Sequence, residues 1–289
     1  MPKIKFTKMN GLGNDFVILD YSEFQKTKLS PDKLAQKLCN RNFSIGADGL
    51  IIVNPDTDKA DISWIFYNSD GSVAQMCGNG MRCFSRYVYD NKIIDKKEFS
   101  VETKAGIIVP KIISENEVCV NMGIPILEPN KIPCKTKTNL NIPYTLNNKD
   151  FLLNTVSMGN PHCVIFVEKD SKELAYKYGS IIENDKLFPE KTNVEFVEIL
   201  SKDEVAINVW ERGCGITSAC GTGACATAVA GILNGYLNNC VKANLPGGEL
   251  KIEWKGGSDD IKHSVFMTGR ADYSFFGEVI IWKNYKIFP

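Results

Sequence analysis

The sequence predicts two similar α+β domains in one chain, and three observations carry that prediction. A Gly-Asn turn runs into a Val/Ile/Phe-rich stretch twice, as GLGNDFVIL at 11–19 and SMGNPHCVIFV at 157–167. A Cys-Gly-x-Gly loop opens a helical pattern twice, at Cys77 and at Cys220. The two motifs are also nearly equally spaced, with 63 positions from Asn14 to Cys77 and 60 from Asn160 to Cys220. A period this long is too great for a solenoid and fits a duplicated domain.

The elements repeat in order. Each Gly-Asn leads into an apolar run that reads as a buried strand. Helical patterns follow, SPDKLAQKLCN at 30–40 and SKELAYKYGSIIEN at 171–184. Ser30, followed by Pro31, and Ser171 are the expected N-terminal caps. Short strands come next, at 48–53 and 61–68 in the first half and at 194–200 and 204–211 in the second. Each series closes with the cysteine loop and a helix, 80–90 or 223–237. The Pro-containing, polar segment 122–143 is expected to carry the crossover. One special cysteine per half points to a site in the cleft between the halves.

Composition narrows the function. Of 289 residues, 44% are apolar and 24% charged, as in globular chains. Lys plus Arg and Asp plus Glu both number 34, so no net field draws in nucleic acid or an anionic membrane. The start, MPKIKFTKMN, lacks the apolar core of a signal peptide, and no apolar run is long enough to span a bilayer. A cytoplasmic protein with no nucleic-acid or membrane partner is expected. Ten cysteines without a Cys-x-x-Cys pair, and two histidines far apart (His162 and His263), argue against a metal site.

The two loops suit proton chemistry. A thiolate is the reactive form of cysteine, and a helix N-terminus is expected to favour it. Gly78, Gly80, Gly221 and Gly223 allow backbone N–H groups to approach a small anion. Neither loop completes a dinucleotide fingerprint or carries a P-loop Lys. One thiolate taking a proton from carbon while one thiol delivers another would invert a stereocentre; a nucleophilic mechanism would need only one loop. Asn14, Asn68, Asn79, Asn160 and Asn193 lie in turn-like stretches and can both donate and accept. Glu211 could meet an amine, and Arg212 could grip a carboxylate.

On the stretches KMNGLGNDFV, NSDGSVAQMCGNGMRC, SMGNPHCV, TNVEFV, WERGCGITSACGTGACA and LPGGELKIEW, the chain resembles the diaminopimelate epimerases, which work without pyridoxal phosphate. The resemblance runs from Lys8 to beyond Gly248. It implies two pseudo-symmetric α+β domains, each a mostly antiparallel sheet curled around a central helix, with the active site in the interdomain cleft. It also implies that the C-terminal strand returns to the first domain, giving residues 1–121 plus 270–289 and residues 122–269. Cys77 and Cys220 would be the acid/base thiols, with His162 and Glu211 tuning them. Gly78, Asn79, Gly221 and Thr222 would cradle the reacting carboxylate. Asn14, Asn68, Asn160, Asn193, Glu211 and Arg212 would hold the rest of diaminopimelate. The implied reaction is LL- to meso-diaminopimelate conversion in lysine biosynthesis, without cofactor or metal, in a homodimer.

The chain departs from the family at a few positions. Asn10 stands where many members have His, and Gly49 where they have Gln; any role of Gly49 must pass to its backbone. ERGCG replaces ERGAG, adding Cys214 near the site. Phe275 aligns with a Tyr that supports the dimer in some members. The nearest rival function is proline or hydroxyproline racemisation, against which Glu211 and Arg212 count, since proline has no second amino-acid end. A rival of another class is a catalytically silent amino-acid-binding protein, which would be expected to have lost one cysteine.

Overall fold

The computed structural model describes residues 2–74, 76–258 and 260–281. In the first part of the chain the elements are β1 (Lys3–Gly11), β2 (Asn14–Asp20), α1 (Tyr21–Thr27), α2 (Pro31–Leu38), β3 (Gly49–Asn54), β4 (Ile62–Asn68), α3 (Gly78–Asp90), β5 (Val101–Thr103), β6 (Gly106–Ile108), β7 (Pro110–Ile112) and β8 (Glu117–Asn121). There follow a short 3-10 turn (Pro129–Lys131), β9 (Ile142–Leu146), β10 (Lys149–Ser157), β11 (Pro161–Val167), α4 (Ser171–Glu183), β12 (Asn193–Ser201), β13 (Glu204–Glu211) and β14 (Gly215–Thr217). The last are α5 (Gly221–Leu233), β15 (Cys240–Leu245), β16 (Gly248–Trp254), β17 (Val265–Arg270) and β18 (Asp272–Ile280). Two compact units result. One is the chain up to Val120 with the segment from Gly269 onward, and the other is Asn121–Thr268. Of the segment 270–289, residues 282–289 lie outside the described residues.

In the first unit the strands run in the order β18-β1-β2-β3-β4-β5-β6, an open sheet. Its pairings are antiparallel except β2 with β3 and β4 with β5. Side chains alternate across the sheet. Val17, Leu19, Leu50 and Ile52 turn to one face, where they form a core with Leu34 and Leu38 of α2. Phe16 and Ile51 turn to the other, beneath α3. Helix α3 packs on β1, β2 and β3, and most of its residues are buried.

The second unit has the same logic. Its strands run β17-β16-β15-β13-β12-β11-β10-β9, with β14 on β13. Here β11 with β12 and β13 with β15 are parallel, among otherwise antiparallel pairs. Cys163, Ile165, Val194 and Phe196 face α4 in a core with Leu174, Tyr178 and Ile182. The opposite face carries α5, which packs on β10, β11, β12 and β16. GTGACATAVAGIL is small and apolar all round, which is why this helix can be buried on nearly every side.

Three details differ from the sequence reading. Helix α1, seven residues long, has too short a pattern to stand out in sequence. Ser30 occupies the N-cap of α2 but makes no side-chain capping bond. The N-cap of α4 is Asp170, in a left-handed conformation, and not Ser171. Ser171 is instead the first helical residue, its N–H donating to Glu198 and its Oγ accepting from Asn208, so tertiary partners displaced the local cap. No helix among the described residues is long and apolar enough to cross a membrane.

One contact fixes how α4 lies against β13. A Cβ added at Gly179 would sit 2.5 Å from Trp210 Cβ and 2.7 Å from its Cγ. Gly179→Ala should therefore cost about 1–3 kcal/mol through overpacking. Thermal or denaturant unfolding should show the loss, and an unchanged midpoint would mean that the helix can slide away.

Candidate active site

In the first unit, Cys77 has an extended backbone and caps α3, its Sγ accepting the Gly80 N–H at 3.5 Å. The thiol also lies 3.5 Å from Asn14 Oδ1. That oxygen accepts from Asn79 Nδ2 at 3.3 Å, and Asn14 Nδ2 donates to Asp48 Oδ2 at 2.7 Å. Asp48 is held in turn by Arg41, which forks onto Asp15, and Lys8 pairs with Asp15 from a buried position. Burial pushes the Asp15 carboxyl up, but hydrogen bonds and charge from Arg41 and Lys8 outweigh it and hold the group down at about 2. This network fixes the Asn14 amide, and through it the thiol. Gly78 is buried in the first turn of α3.

In the second unit, Cys220 caps α5 in the same way, with its Sγ accepting the Gly223 N–H at 3.4 Å. Thr222 Oγ1 lies 3.5 Å from the sulfur and accepts from Asn160 Nδ2 at 3.3 Å. Gly221 is buried beside it. The other end of the Asn160 amide, Oδ1, faces His162 Nε2 at 3.1 Å. His162 Nδ1 meets Glu195 Oε1 at 2.7 Å, and both side chains are fully buried. Glu211, near Cys220, accepts from Thr217 Oγ1. Asn193 Nδ2 donates to Pro161 O at 2.8 Å and its Oδ1 accepts the Arg212 N–H at 3.0 Å. The Arg212 guanidinium donates to Glu190 O at 3.1 Å.

The two halves match position for position. Phe16 pairs with Gly49 across β2 and β3, as His162 pairs with Asn193 across β11 and β12. Gly49 faces Asn68, and the facing of Val194 and Trp210 carries Asn193 to Glu211. Asn14 therefore corresponds to Asn160, Asn79 to Thr222, and Asn68 to Glu211.

Electrostatics differ from expectation at Cys220. A helix N-terminus was expected to favour the thiolate, and the Gly223 N–H and Thr222 do so. Burial, followed by the Glu211 and Glu195 carboxylates, outweighs them and pushes the thiol well above its ordinary range. Burial likewise raises the Glu211 carboxyl. The balance at Cys220 favours the neutral thiol.

Among the expected residues, Asn14, Cys77 and Asn79 come together, as do Asn160, His162, Cys220 and Thr222. Asn193 and Arg212 adjoin through the backbone. Asn68 turns its amide to Ser72 Oγ at 2.9 Å, within its own loop. Glu195 and Thr217 were missed, as were Lys8, Asp15, Arg41 and Asp48. Glu195 did carry a signal: it is a lone charge inside the buried run NVEFV. The ligand-type atoms of His162, Glu195 and Cys220 all lie within 4.8 Å of one another. A thiophilic cation uses such donors, yet both imidazole nitrogens are already hydrogen-bonded.

Alkylation tests the resting state of Cys220. A free thiol ionises near pH ~8.5. Cys220 should react with iodoacetamide only at distinctly higher pH, and Glu211→Gln should lower that midpoint by removing a carboxylate. Peptide mapping across a pH series reads both; ordinary reactivity at neutral pH would refute the assignment.

The family model for diaminopimelate epimerase matches residues 6–128 and 154–274. A diaminopimelate epimerase of Halothermothrix orenii is 47% identical, over 98% of this chain and all of that protein. One of Carboxydothermus hydrogenoformans is 49% identical, over 96% of this chain and all of its own. Among solved structures, a phenazine biosynthesis protein of the PhzF family from Bacillus anthracis superposes with TM-score 0.71 at 14% identity, covering 97% of this chain and 100% of that one. A probable proline racemase from Agrobacterium radiobacter K84 gives TM-score 0.69 at 14% identity, covering 97% and 94%. At such identity these two structures speak to the fold alone.

Proposed function

The chain belongs to the diaminopimelate epimerase family, and on that premise we propose that Cys77 and Cys220 are the acid and base of its reaction. The reaction interconverts LL- and meso-2,6-diaminopimelate, an isomerisation in lysine biosynthesis. Inverting an α-carbon requires removal of a proton from one face and delivery to the other. One observation supports the pair above all: each thiol caps a buried helix, takes the N–H of the third residue on, and lies in a cluster with an asparagine amide.

The remaining roles follow from chemistry. The first-turn N–H groups of α3 and α5, at Gly78, Asn79, Gly221 and Thr222, would hold the reacting carboxylate, where a helix terminus favours negative charge. Asn14, Asn68 and Asn160 would hold polar groups of the substrate, with Glu211 at an amine and Arg212 at the distal carboxylate. Asn193 would join them, and its Oδ1, which accepts the Arg212 N–H, would also help to place Arg212. His162 acts beside Cys220. Proton transfer between thiols and carbon needs no cofactor. Cytoplasmic location and a homodimer complete the proposal. Edge strand β18, with exposed Phe275 and Phe276, supports the dimer.

Cys77→Ala and Cys220→Ala should each abolish epimerisation with the fold retained, since each direction needs both groups. Losing a positioned acid or base costs about 10²–10⁴-fold. Solvent deuterium should enter the α-carbon of LL-diaminopimelate with wild-type protein and no added cofactor; near-native turnover by Cys77→Ala would refute the pair. Arg212→Lys should impair diaminopimelate severely, because Lys lacks the planar two-point grip. An analogue lacking the distal carboxylate should be nearly indifferent to that change, and equal discrimination by both proteins would count against the clamp.

A further inference from the structure

The two thiols sit in matching frames over different floors. Beneath α3, a Cβ at Gly80 would meet Ile51 and Phe16, each at 3.4 Å. Beneath α5, a Cβ at Gly223 would meet Glu195 Oε1 at 2.6 Å. By the strand pairing, Phe16 corresponds to His162 and Ile51 to Glu195. A buried apolar pair under Cys77 is thus a buried imidazole and carboxylate under Cys220. All four side chains are essentially inaccessible.

A buried polar pair is costly unless it serves a purpose or satisfies itself. This one is half satisfied. Glu195 Oε2 is buried and takes no hydrogen bond from a described residue. Asn160 donates through Nδ2 to Thr222, so its Oδ1 faces His162 Nε2, and that network assigns a hydrogen to Nε2. A single further proton then lies between Nδ1 and Oε1 at 2.7 Å. Whichever atom holds it, the pair is neutral.

We infer that Glu195 is a positioning residue for the reaction: it shares this proton with His162, and the pair serves Cys220. As Cys220 gives up its proton to carbon, the shared proton moves toward His162 Nδ1. The thiolate then faces an imidazolium within 4.8 Å, and Glu195 carries the compensating charge. When Cys220 takes a proton back from carbon, the shared proton returns toward Glu195. No proton leaves the pair. At the matching positions beneath α3 lie Phe16 and Ile51, and the Cys77 thiol lies beside Asn14. The burial that raises the Cys220 thiol makes a counter-charge more valuable there. The logic is that of a carboxyl fixing an imidazole's protonation and orientation beside a nucleophile.

The inference rests on the reading of Cys220 as an acid/base thiol, and its test can fail separately. The chain has two histidines, so protein labelled with ¹⁵N at the imidazoles gives a spectrum simple enough to assign. Wild type should show a strongly deshielded, slowly exchanging proton at His162 Nδ1. Glu195→Gln should lose it, with kcat reduced about 10- to 100-fold, the usual cost of removing a group that orients a reacting one. KM should change far less, and the alkylation rate of Cys77 should stay as in wild type. Absence of the shared proton in wild type would overturn the inference even if the variant failed to fold. So would wild-type kcat in Glu195→Gln. Turnover by Cys220→Ala would instead refute the two-thiol reading and leave the spectrum standing.

Discussion

The first turn of each buried helix rests on the sheet, with glycine as the third helical residue: no side chain fits at Gly223, and at Gly80 even a Cβ would already be in contact with the sheet. At Gly223 an added Cβ would fall 2.6 Å from Glu195 Oε1, and at Gly80 it would meet the Phe16 and Ile51 side chains. That close approach sets the thiol at the mouth of the helix, with its sulfur on the N–H of the same glycine. It also brings strand side chains within reach of the sulfur. Capping, helix burial and the thiols' surroundings are therefore one constraint.

Pseudo-symmetry of backbone does not extend to charge. Around Cys77 the frame offers an asparagine amide braced by a buried Lys8–Asp15 pair and by Arg41. Around Cys220 it offers Glu211, Glu195 and His162. The same backbone frame occurs twice, and different residues at matched positions make the surroundings of the two thiols chemically unequal. Such inequality suits a reaction whose two ends differ, since LL and meso forms present opposite faces of the same carbon.

Much of the site was legible because chemistry-bearing residues fell in loops whose patterning repeats. The Gly-Asn turns and Cys-Gly-x-Gly loops announced Asn14, Cys77, Asn79, Asn160, Cys220 and Thr222, and these cluster as two groups in the folded chain. Asn68 turns its amide to Ser72 within its own loop, and the Asn193 amide spans Pro161 and Arg212. Turn asparagines have the same local signature whether they bind a ligand or the backbone, so spacing could not separate the two.

The sequence by itself determined the duplication and the strand and helix order, and it singled out the two cysteine loops, because periodicity and glycine placement are local properties. It could not determine the cap of α4, where Ser171 is drawn to Glu198 and Asn208 across the unit. Nor could it determine the protonation of Cys220. A helix N-terminus is visible in sequence and argues for a thiolate. The two carboxylates that argue against it come from β12 and β13, 25 and 9 positions upstream. Only parallel pairing of β11 with β12, and the packing of α5 on that face, put His162 and Glu195 under the sulfur. Charge at a buried atom depends on every neighbour in space, and that sum exists only once the chain has folded.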